Sequence, residues 1–164
     1  MDVGFLKIKI DIKTEHDEYL KKYEYKRKEM KRAEIKNLFE SFKEFFKTDG
    51  HFKFKENEHS VTAEYKDHGI TLDIDIYKNT DAPGFDVEGN IKTFEKDCFE
   101  FIAEGVASKE LTLPSPDADA HDRMVHDTRF YKDFLEGDLE YSYQYRIKGR
   151  DEVYISFGEL LQAL

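Results

Sequence analysis

Val61-Thr62-Ala63-Glu64-Tyr65-Lys66-Asp67-His68-Gly69-Ile70-Thr71-Leu72-Asp73-Ile74-Asp75-Ile76 is the stretch that decides the fold. Val61, Ala63 and Tyr65 alternate with Thr62, Glu64 and Lys66, and Leu72, Ile74 and Ile76 alternate with Asp73 and Asp75. Period two with one apolar face marks a strand buried on one side. The polar connection Asp67-His68-Gly69 has hairpin length, so the two runs are expected to pair antiparallel.

The same periodicity recurs on both sides of this hairpin. Phe52 and Phe54 sit between Lys53 and Lys55, and a further strand is expected from Phe85 to about Lys92, after the Pro/Gly loop of residues 79–84. Leu139, Tyr141, Tyr143, Tyr145 and Ile147 keep strict period two, and Val153, Ile155 and Phe157 suggest a last strand. Leu6, Ile8, Ile10 and Ile12 alternate with Lys7, Lys9, Asp11 and Lys13, which predicts an N-terminal strand. Short turns between closely spaced strands imply an antiparallel meander with one covered face.

Residues 15–47 contain neither Gly nor Pro and are rich in Lys, Glu, Leu, Met and Arg, so they predict one long helix with Thr14 as its cap. Its second half carries the stripe Ile35, Leu38, Phe39, Phe42, Phe45 and Phe46. Its first half, about residues 19–34, offers few apolar residues and is expected to protrude from the core. Phe94, Cys98, Phe101, Ile102 and Gly105 fall at helical spacing and predict a second helix capped by Thr93, with Cys98 as a small core residue. Ser115 and Pro116 read as the start of a third helix ending at Gly137, and residues 159–164 as a short fourth. The expectation is a single α+β domain over 1–164: an antiparallel sheet of about six or seven strands, one long N-terminal helix, and two or three further helices packed on one face.

Composition narrows the function classes. Aromatic residues make up 15% of the 164 residues, enough to hold a core where aliphatics are sparse. The lone Cys98 excludes an internal disulfide and a cysteine-cluster zinc site. No basic, then apolar, leader opens the chain, and no apolar run nears the roughly 20 residues of a bilayer span. A cytoplasmic protein without membrane partners is therefore expected. The net charge of -10 is unevenly spread: residues 1–48 hold 13 Lys/Arg against 10 Asp/Glu, and the remainder 13 against 26.

Three clusters bear chemistry. Lys21, Lys22, Lys26, Arg27, Lys28, Lys31, Arg32 and Lys36 form a basic half-helix that would attract phosphates, although Glu24–Lys28 is an internal i, i+4 pair and the acidic remainder would repel a duplex. Asp73 and Asp75 share a strand's polar face, with Asp86 and Glu88 on a neighbouring strand, a set suited to acid–base or metal chemistry or simply to a solvated sheet face. Asp119, Asp122 and His126 lie at metal-ligand spacing on one helix, whereas His121 and His126 point about 140° apart. A metal site needs a further ligand that the sequence does not nominate; a surface Asp–His pair is the simpler arrangement. Tyr141, Tyr143 and Tyr145 are candidate stacking residues better suited to a core. No phosphate-binding glycine loop or nucleophile elbow is present.

These features favour a non-enzymatic interaction protein with no cofactor, an acidic inhibitor or immunity-type protein that meets a basic protein partner. A nucleic-acid-binding accessory protein using residues 21–36 is the alternative, and a metal-dependent hydrolase at Asp119, Asp122 and His126 the third reading.

Overall fold

The computed structural model describes residues 1–164. Its elements are α1 (Val3–Lys47), β1 (Lys53–Glu56), β2 (Ser60–Tyr65), β3 (His68–Asp73), α2 (Ile76–Asp81), β4 (Val87–Lys92), β5 (Cys98–Ala107), α3 (Ala120–Glu136), β6 (Tyr141–Ile147) and α4 (Phe157–Gln162). The fold is α+β, with the six strands in sequential order in one antiparallel sheet. The hairpin that opened the sequence reading is β2–β3, with Ala63 opposite Ile70 and Val61 opposite Leu72. No helix is long and apolar enough to cross a membrane.

The residues form two compact units. Unit 1 comprises residues 1–27 and 107–142, and unit 2 comprises residues 28–106 and 143–164.

Unit 2 holds the main core. Ile35, Leu38, Phe42 and Phe46 of α1 are buried against the apolar sheet face formed by Val61, Ala63, Leu72, Val87, Ile91, Phe101, Ala103, Tyr145 and Ile147, with Phe157, Leu160 and Leu161 of α4. Each large side chain removed from water in this stripe contributes roughly 2 kcal/mol. Two polar groups of α1 are buried beside it. Lys31 is fully buried, and its Nζ donates to the carbonyls of Asn79 (2.7 Å) and Ala82 (2.9 Å) at the C-terminal end of α2. This end carries partial negative charge, so a cation is favoured there. Glu34 accepts a hydrogen bond from the Tyr145 hydroxyl at 2.6 Å, and burial raises the Glu34 carboxyl above its ordinary value of 4.5. Burial, together with the Glu34 carboxylate, also pushes the Tyr145 hydroxyl up.

Unit 1 pairs the first part of α1 with α3. Tyr23 stacks on Tyr131 at 4.6 Å between ring centroids and meets Phe130 and Phe134 edge-on. Lys26 donates to the Phe134 carbonyl at 2.8 Å and lies 4.5 Å from that ring. Lys132 pairs with Glu15. Gly137 ends α3 at φ +86°, a left-handed conformation that glycine adopts without steric cost.

Several local expectations are corrected. Residues 6–12 are helical: no Gly or Pro falls between Phe5 and Lys47, so helix propagation absorbs the alternating stretch, and Asp2 rather than Thr14 accepts from an early amide, that of Phe5 (3.2 Å). Residues 98–107 form a strand, because Phe99, Phe101 and Ala103 alternate as well as Phe94, Phe101 and Ile102 fit a helix, and β4 supplies partners for Cys98 to Ala103. Cys98 is consequently exposed. β3 stops at Asp73, and Asp75 to Asp81 become the cap and body of α2. α3 starts after Asp119, not Ser115. Residues 153–157 form only one bridge, Tyr154 to Tyr145, before Ser156 caps α4.

Two outcomes are expected in chemical denaturation. Lys31→Ala lowers the unfolding free energy by about 3 kcal/mol, since it strips the charged donor from two buried carbonyls; a loss below about 1 kcal/mol would show that the ammonium does not hold α2. For Glu34, the folded carboxyl titrates above its unfolded value, so stability present at low pH is lost as pH rises through the folded value. Glu34→Gln, which does not titrate, therefore gains on the wild type as pH rises above the ordinary carboxyl value of 4.5. A difference independent of pH contradicts this.

Candidate functional site

A polar cleft lies in unit 2, where β3 leaves the sheet. β3 pairs with β4 only as far as Asp73 opposite Asn90, and the chain then turns into α2. The strand ends exposed by this departure are capped by side chains. Asn79, itself buried, donates to the Asp75 and Glu88 carbonyls (2.8 and 2.9 Å) and accepts from the Glu88 amide (2.8 Å), so its carboxamide takes the place of the missing strand beside β4. His59 does the same on the other side, accepting from the Ile74 amide through its carbonyl (2.8 Å) and from the Ile76 amide through Nδ1 (3.2 Å).

The gap left is a cleft of about 350 Å³ lined by His59, Asp73, Asp75, Lys78, Asn79, Glu88, Gly89, Asn90, Glu100 and Lys148, with Ile74. Its polar wall follows from register: Asp73 lies opposite Asn90, and Asn90 opposite Glu100, a row across three strands on the face turned away from the core. Lys148 extends the row, its amide donating to the Glu100 carbonyl at 2.8 Å. Gly89 contacts the cleft because nothing larger fits. A Cβ there would lie 2.7 Å from Phe101 Cζ and 2.8 Å from the Asp73 carbonyl oxygen.

Four carboxylates and two ammoniums line this cleft, a formal balance of two negative charges with His59 neutral. Glu88 pairs with Lys148 at 3.2 Å and Asp73 with Lys92 at 3.5 Å. Asp75 Oδ1 accepts from the Lys78 amide at 3.0 Å as the cap of α2. The Glu100 carboxylate carries no ion pair. Three of the four acidic residues singled out from the sequence, Asp73, Asp75 and Glu88, therefore converge here. Asp86 does not: its Oδ1 accepts from the Gly105 amide at 2.8 Å.

His59, Lys78, Asn79, Asn90, Glu100 and Lys148 escaped the sequence reading. Asn79 lay in a stretch read as loop and Glu100 in one read as helix; the alternation Phe99, Phe101, Ala103 was the signal that would have placed Glu100 outward.

The basic half-helix is not gathered into one free face. Lys31 is buried, as is Arg27, whose Nη2 donates to Glu24 at 2.7 Å. Lys26 is committed to Phe134, Lys22 pairs with Glu18 (3.2 Å), Lys28 approaches Asp81 (3.9 Å) and Lys36 approaches Glu40 (4.0 Å). Lys21 and Arg32 are exposed.

Nor are Asp119, Asp122 and His126 brought together: no group of three His, Cys, Asp or Glu side chains is placed to hold a metal ion. Asp119 caps α3, accepting from the Asp122 amide at 2.8 Å, and that bond holds its carboxyl below the usual range. His126 Nε2 is hydrogen-bonded to the Thr112 carbonyl, and its Nδ1 sits 3.6 Å from Asp127. Tyr143 and Tyr145 are tied inward, to the Phe85 carbonyl and to Glu34.

Gly89→Ala is expected to cost about 2 kcal/mol through overpacking. Gly158→Ala, where a Cβ meets only Ser156 Oγ at 4.0 Å, is expected to be neutral or stabilising. Equal thermal shifts for the two variants would contradict the packing that shapes the cleft. Comparison with family models, with curated proteins and with solved structures finds no match to this chain.

Proposed function

We propose that this chain is a non-enzymatic interaction protein that binds a basic protein partner, an arginine or lysine side chain of the partner entering the cleft beside Asp73, Asn90 and Glu100. The observation that carries the reading is the row of Asp73, Asn90 and Glu100 across three strands, opening on a cleft of about 350 Å³ that has room for a long cationic side chain. A guanidinium fits planar acceptors at two points, and the Glu100 carboxylate is free to receive it. The excess of 26 Asp/Glu over 13 Lys/Arg in residues 49–164 adds a field that speeds encounter with a basic surface. An inhibitor or immunity-type role follows from that chemistry, since masking a basic functional surface needs acidic complementarity and no catalysis.

The test is calorimetric titration of the full chain with an arginine-rich peptide and with a glutamate-rich peptide of equal length. Only the arginine-rich peptide is expected to bind, with affinity falling as NaCl rises from about 0.05 to about 0.5 M. The double variant Asp73→Asn/Glu100→Gln is expected to bind it about tenfold more weakly. Salt-independent binding, no binding, or an unchanged affinity in the double variant overturns the reading.

A further inference from the structure

Lys148 is paired not with the carboxylate beside it but with the next one along the cleft. It follows β6, and its amide donates to the Glu100 carbonyl at 2.8 Å, so Lys148 and Glu100 are neighbours across two strands. Both line the polar cleft. The Lys148 ammonium nevertheless makes no ion pair with Glu100 and lies 3.2 Å from Oε2 of Glu88, one strand further on. Glu88 stands opposite Ile102 and Asn90 opposite Glu100, so Glu88 and Glu100 are diagonal neighbours on β4 and β5. Such neighbours lie roughly 7–8 Å apart. One ammonium is thus placed between two carboxylates, and Glu88 holds it.

Glu88 is itself held. Its amide donates to Asn79 Oδ1 at 2.8 Å and its carbonyl accepts from Asn79 Nδ2 at 2.9 Å, so α2 fixes its backbone and leaves its carboxylate to Lys148. The far end of the row differs: Asp73 has its own cation, Lys92, at 3.5 Å. Between the two ends the Asn90 carboxamide and the Glu100 carboxylate face each other without partners. A guanidinium can bond both acceptors with its planar fork. A second ammonium at Glu100 would block that edge.

We infer that Glu88 is a positioning residue of the cleft: by holding Lys148 it keeps Glu100 and Asn90 open to a partner's guanidinium. Without Glu88, Lys148 turns to Glu100 and occupies the cleft as an internal ligand. The pair is partly exposed, and such pairs are weak, so loss of one carboxylate is enough to redirect the ammonium. This inference rests on the reading of the cleft as a receptor for a cationic side chain.

Two measurements on the full chain test it. The first uses no ligand. Nuclear Overhauser contacts between the Lys148 Cε and Glu100 Cγ protons are expected to be stronger in Glu88→Gln than in the wild type. Unchanged intensities overturn the inference. The second is calorimetric titration with an arginine-rich peptide in a double-mutant cycle. Glu88→Gln is expected to weaken binding about fivefold when Lys148 is present and less than about twofold in Lys148→Met, where only a distant charge is lost. Equal factors in the two backgrounds overturn the inference, because Glu88 then acts as one more negative charge. Lys148→Met alone leaves every bond to α2 in place and is expected to raise affinity by less than about threefold. A gain above about tenfold would show that Lys148 already blocks Glu100 in the wild type, and overturns it equally. If the peptide binds no variant, the cation reading of the cleft fails, and the Overhauser contacts still decide whether Glu88 holds Lys148 away from Glu100.

Discussion

The stripe Ile35, Leu38, Phe42 and Phe46 lies on the apolar face of the meander, and unit 2 depends on that contact. The helix must reach the sheet with polar side chains on its flanks, and two of them are buried on arrival. Lys31 turns this to use by donating to the C-terminal carbonyls of α2, and Asn79 of α2 in turn satisfies β4 at Glu88. One chain of hydrogen bonds thus runs from α1 through α2 to the sheet. It keeps β3 and β4 apart beyond Asp73, and the cleft is the space so maintained.

Charge is handled differently on α1 and on the outer sheet face. A run of eight Lys/Arg between residues 21 and 36 reads as a phosphate-attracting surface, but folding spends most of these cations on internal partners. Lys26, Arg27 and Lys31 face carbonyls or a carboxylate within their own units, and only Lys21 and Arg32 extend without such ties. The outer sheet face behaves in the opposite way. Asp73 and Glu88 have surface lysine partners, pairs worth little in water, and Glu100 has none, so negative potential survives there.

Strands β2, β3 and β6 were legible because their side chains alternate cleanly, and the long helix because residues 15–47 hold neither Gly nor Pro. The misreadings have one physical origin. At Leu6 to Lys13 and at Phe94 to Gly105 a local period competes with context: helix propagation from the long α1 wins in the first, and pairing with β4 wins in the second. Three of the four cleft carboxylates were visible as the acidic set Asp73, Asp75 and Glu88. The rest was not, since a buried Asn replacing a strand and a Glu brought in by register leave no periodic trace.

That the cleft is a receptor for a cationic side chain is most directly tested by following backbone amide resonances while arginine amide is added. Shifts confined to Asp73 to Asn79, Gly89, Asn90, Glu100 and Lys148, saturating together and reversed by salt, are the predicted result. Shifts centred on α1, or none in the cleft while a basic peptide still binds, would contradict the account.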